Sequence, residues 1–145
     1  MSILSDTDTR RFLIPQCDTH DTVKRELENG CKISHWMWYT FPQVTFPYTS
    51  QTSQYCSIKS KKEAEDFLND KELKDNLVEL CDILSQLPGE LTAHDIFGFP
   101  DDRKLKSSMT LFDQVEPNSI YARILNRYYS GERCQYTIDF LTSDK

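Results

Sequence analysis

From Asp70 to the Pro88-Gly89 pair, the chain carries Leu73, Leu77, Leu80, Cys81, Leu84 and Leu87 at helical spacing. That spacing sets six apolar side chains on one face of an α-helix, and such a face is stable only when other elements cover it. Asp70 supplies an N-cap, and Pro88 with Gly89 ends the run. A chain organised around this stripe therefore needs several further helices, and the flanking sequence provides them. Ser60 and Glu63 stand three apart as a capping box, with the serine accepting from the N3 amide and the glutamate reaching back to the cap. The helix they open presents Ala64, Phe67 and Leu68. Thr92 and Asp95 predict a second capping box and about one helical turn before Gly98. Asp101 is expected to cap a helix with Leu105, Met109 and Phe112 on one face.

Towards the C-terminus, Pro117 suits the first turn of a helix carrying Ile120, Tyr121, Ile124, Leu125 and Tyr128, which Gly131 closes. A final segment, Tyr136 to Leu141, docks back. At the other end, Asp6 or Thr7 caps a short helix through Phe12 and Leu13 that Pro15 kinks or ends. The stretch 22–29 continues as helix and stops at Gly30. Residues 42–59 show no period and read as one long irregular loop. The expected fold is all-α, a compact multihelical array in a single domain over 1–145, with residues 1–5 and 143–145 frayed. Only 4 glycines and 6 prolines in 145 residues agree with helix and exclude collagen-like or linker classes.

Charge narrows the partners. With 17 basic and 23 acidic side chains the net charge is −6, which opposes nonspecific binding to nucleic acid or an anionic membrane surface. No leader peptide and no membrane-length apolar run is legible. The 5 cysteines (Cys17, Cys31, Cys56, Cys81, Cys134) show no metal-ligand spacing, and the 3 histidines are scattered. Free thiols, a cytoplasmic location, no metal and no cofactor are the expectation.

Two passages carry possible chemistry. In the first, His35, Trp36, Met37, Trp38, Tyr39 and Phe41 precede Pro42 and Gln43. Indoles supply faces for stacking on a planar or sugar-like ligand, and histidine can transfer a proton near neutrality. Gln43 adds an amide. The same run also reads as an aromatic core nucleus with His35 a structural histidine. In the second, Lys104 lies one helical turn before Ser107 and Ser108, with Thr110 beyond, a plausible grip for phosphate or carboxylate. Asp101 and Asp102 oppose an anion at that helix start. The bland alternative makes the lysines solvated and the hydroxyls bonded to carbonyls one turn back. His94 and Asp95 could act as an acid–base pair, but more often such a pair caps a helix.

Motifs in these passages carry a family resemblance: Gly30, Lys32 and Ser34 through Trp38; Phe41-Pro42-Gln43; Glu63-Ala64; Ile96-Phe97-Gly98; and Asp102 through Phe112. On these residues the chain resembles the bacterial and fungal family of domain of unknown function 1810, over nearly its whole length. The resemblance implies a compact, mostly helical domain and no established reaction. Two positions depart from the family pattern, Cys56 in place of a tyrosine and Cys134 in place of an acidic residue. A looser analogy, of fold class alone, runs to the helical NADAR proteins, which process ADP-ribose-like N-glycosides.

The expected function is a pocket between residues 34–43 and the 102–112 helix for a small polar ligand, nucleotide- or sugar-phosphate-like. Trp36 and Trp38 would stack, Gln43, Ser107, Ser108 and Thr110 would hydrogen-bond, and Lys104 would supply charge. His35 would serve as proton donor or acceptor if hydrolysis follows at an N-glycosidic or phosphate centre. The alternative is a non-catalytic ligand-binding or interaction module, with Tyr128 and Tyr129 exposed on a partner surface.

Overall fold

Capping chemistry and apolar periodicity resolve into nine helices among the described residues, with Val44 and Ile58 meeting in an isolated parallel bridge and no named strand. The computed structural model describes residues 8–47 and 51–143, and the side chains of all of these except Thr52 and Ser53. The proposed caps at Asp6 and Thr7 and the expected fraying of 1–5 lie outside that set; Ser143 belongs to the last helix.

Helix α1 (Arg10–Glu28) is continuous, with Pro15 inside it. The helix does not end at Pro15. Proline removes one backbone donor, but Phe12, Gln16, Val23 and Leu27 are all buried along this helix and hold it as one unit. Gly30 then turns the chain at φ +69, where an added Cβ would lie 2.9 Å from the Leu91 side chain. The aromatic run contributes one turn, α2 (Met37–Thr40), and the expected irregular loop contains a short helix, α3 (Gln51–Tyr55).

α4 (Lys61–Asn69) begins as predicted, with the Glu63 amide donating to Ser60 Oγ at 3.1 Å. The reciprocal half of that box is replaced: the buried Arg11 guanidinium engages the Glu63 carboxylate. Arg11 also donates to the Tyr55 and Ser57 carbonyls, so it ties α1 to the connection before α4. α5 (Lys71–Gln86) is capped by Asp70, and its leucine face is covered by α1, α4 and α8. Leu87 is half-buried just past its end. α6 (Ala93–Phe97) carries both bonds of the Thr92–Asp95 capping box.

α7 (Asp101–Val115) is the central element, packed on α4, α6, α8 and α9. Its cap differs from expectation. Pro100 occupies the N-cap, while Asp101 is the first helical residue and spends its carboxylate on lysines. α8 (Ile120–Tyr129) starts after Pro117 rather than at it, because Asn118 takes φ +62 and interrupts the chain. α9 (Gln135–Ser143) completes the array. A chain of ring contacts, Phe12–Phe67–Phe112–Tyr121 with centroids 5.4, 5.1 and 5.7 Å apart, links α1, α4, α7 and α8 through the core. No helix among the described residues is long and apolar enough to cross a membrane.

Candidate functional site

The segment after Gly30 is positioned by one carboxylate. Glu26, buried on the α1 face that also carries Val23 and Leu27, accepts from the Ile33 amide (2.8 Å), the Ser34 amide (3.0 Å), Ser34 Oγ (2.6 Å) and Trp36 Nε1 (2.9 Å). Burial alone would raise the pKa of this group. The hydrogen bonds from Ser34, Ile33 and Trp36 outweigh it and lower the pKa to about 2, because they favour the charged form. The Lys32 amide bonds to the Ile96 carbonyl at 2.7 Å, which lays the segment alongside the end of α6.

Between this segment and the start of α7 lies a cavity of about 370 Å³, within the range of small-molecule pockets. Lys32, His35 and Lys104 line it with a single carboxylate, Asp101. Asp101 lies 2.9 Å from Lys32 Nζ and 3.5 Å from Lys104 Nζ. The two cations differ in commitment. Lys32, its side chain 7% exposed, also donates to the Ser34 carbonyl at 2.6 Å and sits 5.0 Å from the centroid of Trp36. Lys104, 24% exposed, rests 5.1 Å from the Trp38 ring centroid and has only the longer contact to Asp101. Lys104 is therefore the cation best able to meet an incoming anion. Met37 and Phe97 line the wall, and Ile33 and Phe99 line the cavity with their side chains largely exposed.

Of the site residues predicted from sequence, His35, Trp38 and Lys104 converge on this cavity. Gln43 lines a crevice of about 10 Å³ that shares Met37, Trp38 and Lys104 with it. That is room for about one water molecule. Trp38 Nε1 is buried and has no hydrogen-bond partner among the described residues. The remaining residues are elsewhere. Trp36 is core, 1% exposed, with its ring edge-on to Phe97. Ser107 Oγ lies 3.3 Å from both the Arg103 carbonyl and Cys134 Sγ. Thr110 Oγ1 donates to the Lys106 carbonyl at 2.8 Å and accepts from the Cys134 amide at 2.9 Å. Both hydroxyls thus belong to the α7–α9 contact, and Ser108 is fully buried. The hydroxyl stripe of α7 therefore bonds to carbonyls one turn back and to Cys134, just before α9, rather than facing the cavity. His94 is exposed, 3.4 Å from Asp102, while Asp95 is spent in its capping box. Tyr128 and Tyr129 are half-buried rather than exposed, their hydroxyls donating to the Leu84 and Asp102 carbonyls.

Sequence reasoning missed Glu26, Lys32, Asp101 and Phe99 as parts of the site. Glu26 had a legible signal, a carboxylate three residues from Val23 and adjacent to Leu27 on a buried helical face. A larger hollow of about 600 Å³ runs between α1 and α5, but its two lysines are taken up by carboxylates, Lys24 by Glu79 at 3.2 Å and Lys74 by Glu116 at 2.9 Å, and no aromatic ring lines it.

The profile of a family described as protein of unknown function (DUF1810) matches residues 6–141. The fold is similar to the crystal structure of the conserved hypothetical protein Rv1873 from Mycobacterium tuberculosis, with TM-score 0.89 and 34% identity, over 95% of this chain and 99% of that one. Comparison with the curated proteins finds no match.

Proposed function

The chain belongs to the DUF1810 family of proteins of unknown function, and on the geometry of its cavity we propose that it binds a small phosphate-bearing molecule, nucleotide- or sugar-phosphate-like. One observation carries this reading. On a chain of net charge −6, Lys32, His35 and Lys104 gather about a single carboxylate in one cavity. The two lysines held together at a partly desolvated wall attract an anion that replaces lost hydration with charge-assisted hydrogen bonds. Lys104 provides the primary contact, and Lys32 holds Asp101 and the 32–36 segment in place.

His35 is the lining side chain that both donates and accepts protons. If turnover follows binding, hydrolysis at a phosphate or N-glycosidic centre is the reaction it would assist. The non-catalytic alternative keeps the same ligand, and a product assay with His35→Ala separates the two.

Thermal denaturation with inorganic phosphate, ribose 5-phosphate, adenosine 5′-monophosphate and ADP-ribose tests the binding. A ligand at a hundredfold excess over its Kd should raise Tm by roughly 5–10 °C. Lys104→Ala should remove the rise. No shift with any of these compounds would overturn the proposal.

A further inference from the structure

We infer that the ligand also carries a planar heteroaromatic ring, as a nucleotide does, and that this ring rests on Phe99 beside Ile33. The inference rests on the anion-binding reading above and narrows it from phosphate esters in general to those bearing a base.

Large apolar side chains that stay in water are few among the described residues, and Ile33 at 77% and Phe99 at 66% are the most exposed of them. Both line the cavity that holds Lys104 and His35. Phe99 is not left loose there. The Arg103 guanidinium lies 4.9 Å from its ring centroid, a stacked arrangement that covers one face of the ring and leaves the remainder exposed. Gly98, at φ +73, ends α6, and α7 begins at Asp101, so Phe99 is held in the short connection between two helices. Lys104 follows on the first turns of α7. A ring on Phe99 and an anion on Lys104 thus fall within one ligand.

Polarity selects the base over a bare sugar phosphate. A sugar ring brings several hydroxyls that need acceptors as well as donors. The cavity's lysines only donate, His35 offers one ring, and Asp101 is already engaged by Lys32 and Lys104. A ribose laid against Ile33 and Phe99 offers only a small C–H face between its hydroxyls and covers less of that rim than a flat ring does. A planar base offers an apolar face to that rim and keeps its polar edge in solvent.

Isothermal titration of the full chain with inorganic phosphate, ribose 5-phosphate and adenosine 5′-monophosphate tests this. A base stacked on an aromatic side chain strengthens binding by about fivefold to a hundredfold. The nucleotide should therefore bind at least about fivefold more tightly than ribose 5-phosphate. Phe99→Ala and Phe99→Leu, at an exposed position, should fold normally and shrink that ratio to below about threefold. Equal affinity for the two ligands, or a ratio that survives loss of the ring, overturns this inference and leaves the anion site standing. Failure of all three to bind overturns the anion site, and this inference with it.

Discussion

Replacing Glu26 by glutamine removes one charge and changes almost no volume, which isolates the electrostatic part of the argument. The carboxylate accepts four hydrogen bonds, three of them on Oε1. A bond to a charged group contributes about 1.5–3 kcal/mol and a neutral one about 0.5–1.5. The amide oxygen still accepts, and Ser34 Oγ can reverse its role towards the new amino group. The loss is then the charge assistance on the three Oε1 bonds, about 1–1.5 kcal/mol each or roughly 3–4.5 kcal/mol in total. Urea denaturation at neutral pH reads it: with a slope of about 2 kcal/mol/M the midpoint should fall by roughly 1.5–2 M. The pH dependence carries the sign. The folded pKa, about 2, lies below the ordinary value of 4.5. The stabilisation from this group is therefore complete above pH 4.5 and is lost as pH falls towards 2. Glu26→Gln should lack that component. A variant within about 0.5 kcal/mol of the parent, with the parent's acid profile, would refute the role given to Glu26.

Three further outcomes follow from the same geometry. Gly30→Ala, at positive φ and against Leu91, should cost about 1–3 kcal/mol in thermal or urea unfolding; stability equal to the parent would contradict the turn geometry. Lys104→Met should weaken binding of a phosphate ligand at least about tenfold in calorimetry while leaving the urea midpoint nearly unchanged, since the side chain has one long ion-pair contact to lose. At Cys134 burial raises the thiol pKa, but the Ser107 hydroxyl and the Thr137 and Tyr136 amides outweigh it and lower it. Its alkylation, followed by peptide mapping, should therefore half-saturate at a lower pH in the folded protein than in the urea-unfolded chain, while the fully buried Cys81 stays unmodified in the folded protein.

Helix type and caps were legible because they depend on neighbours in sequence. The leucine face of α5, the Asp70 cap and the Thr92–Asp95 box all need only residues three or four apart. Departures arise where a distant partner competes for a local group. Glu63 leaves its capping box for Arg11, and Asp101 leaves its cap for Lys32, each over a separation that spacing alone cannot reveal. Pro15 is a similar case, its local breaking tendency overridden by burial on both sides.

The site was legible in part for the same reason. The juxtaposition of His35 and Trp38 with Lys104 was anticipated, but the division of labour was not. Of the two tryptophans, Trp36 is anchored to Glu26 inside the core, and Trp38 is left at the cavity. The hydroxyls of α7 were assigned to ligand, whereas α9 claims Ser107 and Thr110 through Cys134. Periodicity places side chains on a face; it does not say which neighbouring helix reaches that face first.

The central claim, that the 32–38 segment and the start of α7 form one anion-binding cavity, is tested most directly by backbone amide NMR during a phosphate-ester titration. Saturable shifts should concentrate at Lys32 to Trp38 and at Phe99 to Lys104, and Lys104→Met should abolish them. Shifts confined to the groove between α1 and α5, or no saturable shift at all, would contradict it.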